Sequence, residues 1–506
     1  MKSLALPAAS VAPTSAEDHW SHSGNASTGS PVNAPEVDVP WWHAVILTAM
    51  AGGLGWGIRG QFGHESGAMI AGLLVSLVLA RLFCPRAEAA VVIRAVAWGT
   101  IAIGFGGSMT YGQTVGLTHD APLVGNWAAL RWGLLGLAIK GGIWIGFAGT
   151  FLGMGLGGVV YRARWMVPLW LGVLGLVSIG IRWINEPFDP AQHILPRIYF
   201  SDDWLWEPGA ALKPRREVWG GMLLGLLGLL AFIRVRLGDV LGFRLGLWGF
   251  LGGALGFPLG QCLQAYHAWN PPIFHSGPWV TIDPLINWWN FMETTFGLVL
   301  GAGLGLGVWS NRRRIVLPPR GNTREIPTWI EVILLVVHSG LLVTSEFFGV
   351  GWVDRIYDFG MLLAFIPLVA VAGGRWWPYF LILPVTAVPI LGKTVRQLVY
   401  QEPSVPAWLG WVLYGVIPLI GVTFLAVRWA QADRRARPAA EVLRPCLLVA
   451  TWLYFSLNFA FFHFPWPWSA WTSRTPNSLV YWICAFGLSW CAGRRSAGEV
   501  TGIRAK

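Results

Sequence analysis

The sequence predicts an all-α fold: a polytopic transmembrane helical bundle of about fourteen helices. Hydrophobic residues make up 54% of the 506 residues and charged residues only 12%, whereas a soluble domain carries about 25% charged residues. The 33 tryptophans suit a protein with many membrane–water boundaries, where amphipathic rings lie among the lipid headgroups. Apolar runs long enough to cross a bilayer recur from residue 43 to residue 493.

The elements follow in order from the composition. Residues 1–40 are rich in Ala, Ser, Pro and Asn, which is typical of a disordered tail. A basic linker is expected at 314–327, before a six-helix unit at 328–493, and a basic tail at 494–506. The predicted spans lie near 43–58, 67–83, 91–109, 130–160, 166–184, 218–233, 243–264, 288–309, 328–348, 359–374, 376–392, 407–427, 446–463 and 478–493.

The distribution of Lys and Arg predicts the orientation. With alternating helices, 24 of these 36 residues lie on the side of the N-terminus, 11 lie on the other side, and Lys140 lies within a span. Cytoplasmic loops carry the excess of basic residues, so both termini are expected to be cytoplasmic in a cell membrane. The loops also account for the net charge of +11. The expected partners are therefore membrane lipids and a small solute, and not nucleic acid.

An internal repeat is suggested by matches along the chain. A shift of 148 residues places Gln113 on Gln261 and His119 on His267, and a different offset places Gly57-Ile58-Arg59 on Gly180-Ile181-Arg182. These matches predict a parallel repeat, with four helices at 41–165 and four more at 166–313, because a shift of four helices preserves direction through the bilayer. The alternative is chance matching in a chain with 64 glycines.

Polar side chains gather at the helix ends on the predicted outer side. An Arg fork suits a carboxylate or phosphate, and the three glycines around Arg59 allow the backbone to leave the helix. The alternative is that Arg59 and Arg182 each pair with a nearby Glu, Glu65 or Glu186, and anchor a helix end at the interface. The candidate substrate-binding residues are Arg59, Gln61, His64, Glu65, Gln113, His119, Arg182, Gln261 and His267.

Four ionisable residues lie within or near the predicted spans: Lys140, Glu293, His338 and Glu346. Charges at such depth normally face a bundle interior or a water-filled path. Lys140 and Glu293 are candidates for an ion pair across the fourth and eighth helices. His338, on its own, is more typical of a satisfied core histidine. The five cysteines lack metal-ligand spacing, so no metal and no cofactor are expected.

These patterns favour a secondary transporter of a small polar or anionic solute, with an outward-facing polar pocket. The alternative is a membrane enzyme at the extracytoplasmic face that acts on a lipid-linked sugar, acyl or phosphate group, with His or Glu as general base. A scaffold-like role is a third interpretation. No catalytic motif is present, so no catalytic residue is assigned. The depth to which polar groups continue through the bundle would discriminate between a transporter and an enzyme.

Overall fold

The computed structural model describes residues 32–33, 39–201, 206, 215–317, 325–348, 350–353, 361–432 and 437–494. The described chain is almost entirely helical, and each of the fourteen apolar segments forms a helix. The helices are, in chain order, α1 (Trp41–Arg59), α2 (Ser66–Phe83), α3 (Ala89–Gly106), α4 (Gly112–His119), α5 (Trp127–Leu156), α6 (Ala163–Asn185), α7 (Trp219–Arg236), α8 (Val240–Trp269), α9 (Pro271–Phe274), α10 (Trp279–Ile282), α11 (Trp288–Ser310), α12 (Thr328–Phe348), α13 (Met361–Gly373), α14 (Trp377–Gln401), α15 (Ala407–Ala432), α16 (Ala440–Phe461) and α17 (Thr475–Gly493).

Eleven of the described helices are long and apolar enough to cross a membrane. The chain is therefore a multi-pass helical membrane protein, with eleven candidate spans where fourteen were predicted. Of the other three segments, α13 has only 13 residues. Helices α1 and α17 have 19 residues each, but their Trp, Gly and polar residues lower the mean hydropathy.

A short strand pair joins the tail that was predicted to be disordered to the start of the predicted 314–327 linker. Strand β1 (Val32–Asn33) pairs with β2 (Val316–Leu317) in antiparallel register, with Val32 opposite Leu317. The Trp309 indole also donates to the carbonyl of Val39 at 2.8 Å. The rest of the predicted tail, most of the 314–327 linker and residues 495–506 lie outside the described residues.

Glycines allow the central helices to touch backbone to backbone. A Cβ added to Gly52 of α1 would lie 2.1 Å from the carbonyl oxygen of Gly297 in α11. A Cβ added to Gly253 of α8 would lie 2.0 Å from the carbonyl oxygen of Gly141 in α5. Lipid provides no hydrophobic force between helices, so close approach through small residues is the main source of packing energy in a membrane. Helices α1, α5, α8 and α11 thus form a dense centre.

No internal repeat is detected in the described part of the chain. Gln113 lies in α4, a separate eight-residue helix that follows a break after α3. Its proposed counterpart Gln261 lies inside the continuous 30-residue α8. Likewise Arg59 is buried, at 1% exposure, whereas Arg182 is exposed. The aligned residues therefore occupy different kinds of structure.

Candidate functional site

The turn between α1 and α2 positions Arg59. One turn of 3₁₀ helix at Gly60–Phe62 ends at Gly63, whose φ of +95° is a conformation that favours glycine. The Lys393 ammonium of α14 donates to the carbonyl of Phe62 at 2.8 Å. The end of α3 lies against the same turn, because a Cβ on Gly107 would be 2.5 Å from the carbonyl oxygen of His64. The chain therefore leaves α1 and returns into α2 within a few residues.

Arg59, the last residue of α1, forms a buried ion pair with Glu293 near the start of α11. Arg59 Nη2 donates to Glu293 Oε1 at 2.8 Å, and the two side chains are 2% and 1% exposed. The Tyr111 hydroxyl donates to the same carboxylate oxygen at 2.7 Å. The guanidinium carbon lies 4.7 Å from the centre of the Trp56 ring and 5.0 Å from that of Tyr111, within the range of cation–π attraction. The pair is thus held inside an aromatic cage.

The hydrogen-bonding capacity of this pair is not exhausted. Arg59 Nε and Glu293 Oε2 make no hydrogen bond of normal geometry with the described residues, although the Trp289 indole approaches the Glu293 carboxylate. Most buried polar atoms in proteins do have a partner, and an exception calls for a physical reason. The pair therefore retains one donor and one acceptor that make no normal hydrogen bond to the described residues.

His64 connects the buried pair to the half-buried residues of the turn. Arg59 Nη1 lies 3.5 Å from His64 Nδ1. Because Arg can only donate, Nδ1 is the acceptor. Burial, with further contributions from the charges of Arg59, Lys393 and Arg215, lowers the pKa of His64 to about 3. The imidazole is therefore neutral at neutral pH. We define the Arg59 site as Arg59, His64, Tyr111 and Glu293.

Further polar side chains surround the Arg59 site. Gln61, half-buried, donates to Asn458 Oδ1 of α16 at 2.5 Å. Asn290 donates to the carbonyl of Gly57 at 3.1 Å and accepts from Arg474 at 2.8 Å. Glu65 is half-buried in the same turn, and the carboxylate that forms the ion pair with Arg59 is that of Glu293.

Lys140 pairs with Glu217, not with Glu293 as the sequence suggested. Lys140 Nζ lies 2.9 Å from Glu217 Oε2 and donates to Thr114 Oγ1 at 2.7 Å. Ser201 Oγ lies 2.9 Å from Glu217 Oε1 and 3.2 Å from Gln113 Oε1, and its single proton can be donated to either oxygen. Glu217 lies just before α7, outside every apolar run, so the hydropathy pattern could not identify it as the partner. This second charged cluster is distinct from the Arg59 site.

The remaining candidates have partners elsewhere. Gln261 is fully buried and donates to Thr118 Oγ1 at 2.7 Å. His267 Nε2 lies 2.9 Å from Asp283 Oδ1. His119 Nδ1 lies 3.0 Å from the carbonyl oxygen of Val115. None of these contacts reaches Arg59.

Three further candidates lie on other helices. Arg182 is exposed near the end of α6, and the nearby Glu186 is ion-paired with Arg216. His338 is fully buried, with its ring 5.7 Å from that of Trp377. The side chain of Glu346 lies outside the described part of the chain.

Several residues of the site were not among the sequence candidates. Tyr111 lies in the polar run after α3, and Asn290 lies in the polar loop before α11, so both carried a recognisable signal. Lys393, Asn458 and Arg474 come from the last six long helices or the loops between them. In these helices the sequence pattern singled out only His338 and Glu346, both in α12. Only the three-dimensional packing of α14, α16 and α17 reveals their contribution.

Together these features define a multi-pass helical membrane protein with a buried charged network near one end of its dense centre. No protein-family model matches this chain, and no curated protein matches it. The functional argument therefore rests on the site itself.

Proposed function

We propose that the chain is a secondary transporter of a small anionic solute, with Arg59 as the anion contact and Glu293 as a proton-accepting group. One observation carries the proposal: the Arg59–Glu293 ion pair is almost completely buried, yet each partner retains an unpaired polar atom among the described residues. Charges buried at such depth in membrane proteins commonly mark substrate or ion pathways.

The chemistry of the pair links anion binding to proton uptake. An incoming carboxylate or phosphate would compete with Glu293 for the guanidinium, whose planar fork suits either group. Glu293 would then lose its closest cation in a site from which water is largely excluded. Burial without a partner favours the neutral form of a carboxyl group, so Glu293 would take up a proton. The network would keep its charge balance while the anion is bound.

The degree of burial favours a transporter over an open enzyme site. Arg59, Glu293 and Tyr111 are each at most 2% exposed, as expected for an occluded state closed on both sides. The neutral, half-buried His64, 3.5 Å from Arg59, would form part of the route towards solvent. The excess of Lys and Arg in alternate loops supports an orientation with both termini in the cytoplasm of a cell and the Arg59 site near the outer face.

Flux measurements with purified protein in liposomes test this proposal. Inorganic phosphate and lactate serve as probe anions, and an internal pH dye reports proton movement. We expect Arg59→Lys to abolish anion movement, because Lys lacks the planar fork. We expect Glu293→Gln to permit anion exchange and to lose the accompanying proton movement. Arg182→Lys, at an exposed position, is the matched control and should behave as wild type.

A membrane enzyme is the second candidate, and the packing beneath the site favours it. Trp56 and Phe296 close the space below the pair, with ring centres 4.5 Å apart. Below them Gly52 and Gly297 bring the α1 and α11 backbones into contact. A site that is closed on one side by this packing suits a reaction on a lipid-linked phosphate at a single face of the membrane. Conversion of a polyprenyl-phosphate sugar by wild type but not by Glu293→Gln, without anion flux in either, would support this alternative.

A further inference from the structure

We propose that a cleft between the end of α15 and the start of α16 binds the headgroup of an anionic phospholipid, with an acyl chain along the exposed face of α15. The cleft has a volume of about 260 Å³ and is lined by Arg428, Trp429, Arg437, Glu441 and Pro445, with apolar side chains beside them. Two arginines on one cleft provide the charge that a phosphate requires. This site is separate from the Arg59 site and does not depend on the proposed transport function.

The exposed face of α15 fits an acyl chain. Of the 18 most apolar consecutive residues of this helix, only 22% are buried inside the protein. Ile417, Ile420 and Phe424 are between 57% and 64% exposed. Together with the exposed Arg428, they follow each other at steps of three and four residues, so they lie along one face of the helix. The apolar face therefore leads directly to a cationic side chain.

The cationic end of the cleft is held in place by the neighbouring helices. The carbonyl of Arg437 accepts a hydrogen bond from the backbone amide of Ala89 at 3.1 Å, and Ala439 donates to the carbonyl of Ala87 at 2.7 Å. The segment before α16 is therefore fixed to the loop between α2 and α3. Such a site loses little conformational freedom when it binds a ligand.

The charges around the cleft leave the arginines available for a phosphate. Arg375 donates to the carbonyl of Ala430 at 2.8 Å, so the partial negative charge at the C-terminal end of α15 is compensated. The one carboxylate among the described residues that line the cleft, that of Glu441, lies 3.6 Å from Arg437 Nη1. A guanidinium carries five N–H donors, and a single contact at this distance occupies one of them at most. Basic pockets between helices are known to bind phospholipid headgroups.

Native mass spectrometry of the full-length protein in a neutral detergent tests the site. The probes are dioleoyl phosphatidylglycerol and dioleoyl phosphatidylcholine, added in separate titrations. We expect wild type to retain phosphatidylglycerol preferentially. The double variant Arg428→Gln/Arg437→Gln should bind it roughly thirty-fold more weakly, because each arginine near a lipid surface contributes about fivefold in affinity.

The control is Arg234→Gln/Arg314→Gln, which removes two exposed arginines at other helix ends and should bind as wild type does. Glu441→Gln removes the only carboxylate among the described lining residues of the cleft. This variant should bind the anionic lipid more tightly than wild type, the opposite of the effect expected for the arginine variants. Equal losses in the two double variants would mean diffuse attraction and would overturn the proposal. Displacement of the lipid by inorganic phosphate at equal concentration would also overturn it, since the acyl chain would then contribute nothing.

Discussion

The losses of stability caused by removing Arg59 and by removing Glu293 should not add, because the two side chains form one buried ion pair. Glu293→Gln preserves the shape of the side chain but leaves the Arg59 cation without its 2.8 Å carboxylate partner, in a position with 1% exposure. Removing one partner of a buried pair costs about 3–5 kcal/mol. In Arg59→Met/Glu293→Gln both charges disappear together. We therefore expect the double variant to lose about 2 kcal/mol less free energy of unfolding than the two single variants lose when their losses are added.

SDS titration in mixed micelles measures the free energy of unfolding of wild type, the two single variants and the double variant. The three differences from wild type complete this double-mutant cycle. Arg182→Met removes an exposed arginine and should change the free energy by no more than about 0.5 kcal/mol. If the losses of the single variants simply add in the double variant, the two side chains do not stabilise each other, and the reasoning about a coupled buried pair is refuted.

Three further predictions concern other parts of the molecule. Lys140→Met should destabilise the protein by about 3–5 kcal/mol, and Glu217→Gln in the same chain should recover part of the loss, as the same SDS titration would show. Gly301→Ala places a Cβ 2.0 Å from a carbonyl oxygen of α1, whereas at Gly340 nothing lies within 4 Å; only the first substitution should lower the yield of folded protein and its melting temperature. Since the pKa of His64 falls to about 3 from 6.5, the unfolded chain binds the proton first as the pH falls. Stability should therefore decrease from about pH 6.5 towards pH 3, and His64→Gln should flatten that decrease.

The helices could be predicted from the sequence because each apolar run must satisfy its own backbone hydrogen bonds within lipid. Their ends were less predictable. Helix α8 continues to Trp269, and α16 begins at Ala440, several residues beyond the corresponding apolar runs. Polar and charged side chains such as Glu441, exposed at a helix end, lower the local hydropathy without interrupting the helix.

The pairing of the charged residues could be predicted only in part. Arg59, Gln61 and His64 share one turn, so their proximity follows from the sequence. The partner of Arg59 is 234 positions away, and the candidate suggested by proximity was Glu65. Which carboxylate reaches an arginine depends on how separate helices pack. The glycines that allow α1 to contact α11 do not indicate, in the sequence, which helix they will face.

Current measurements on liposomes adsorbed to a solid-supported membrane test the central claim most directly. The protein is challenged with concentration jumps of inorganic phosphate, lactate and succinate, at equal amounts of reconstituted wild type and Arg59→Lys. A divalent anion that moves with one proton carries a net charge, so transport through Arg59 predicts a transient current for phosphate or succinate with wild type and none with Arg59→Lys. A current from Arg59→Lys equal to that of wild type would contradict the account, because the planar guanidinium would then be dispensable.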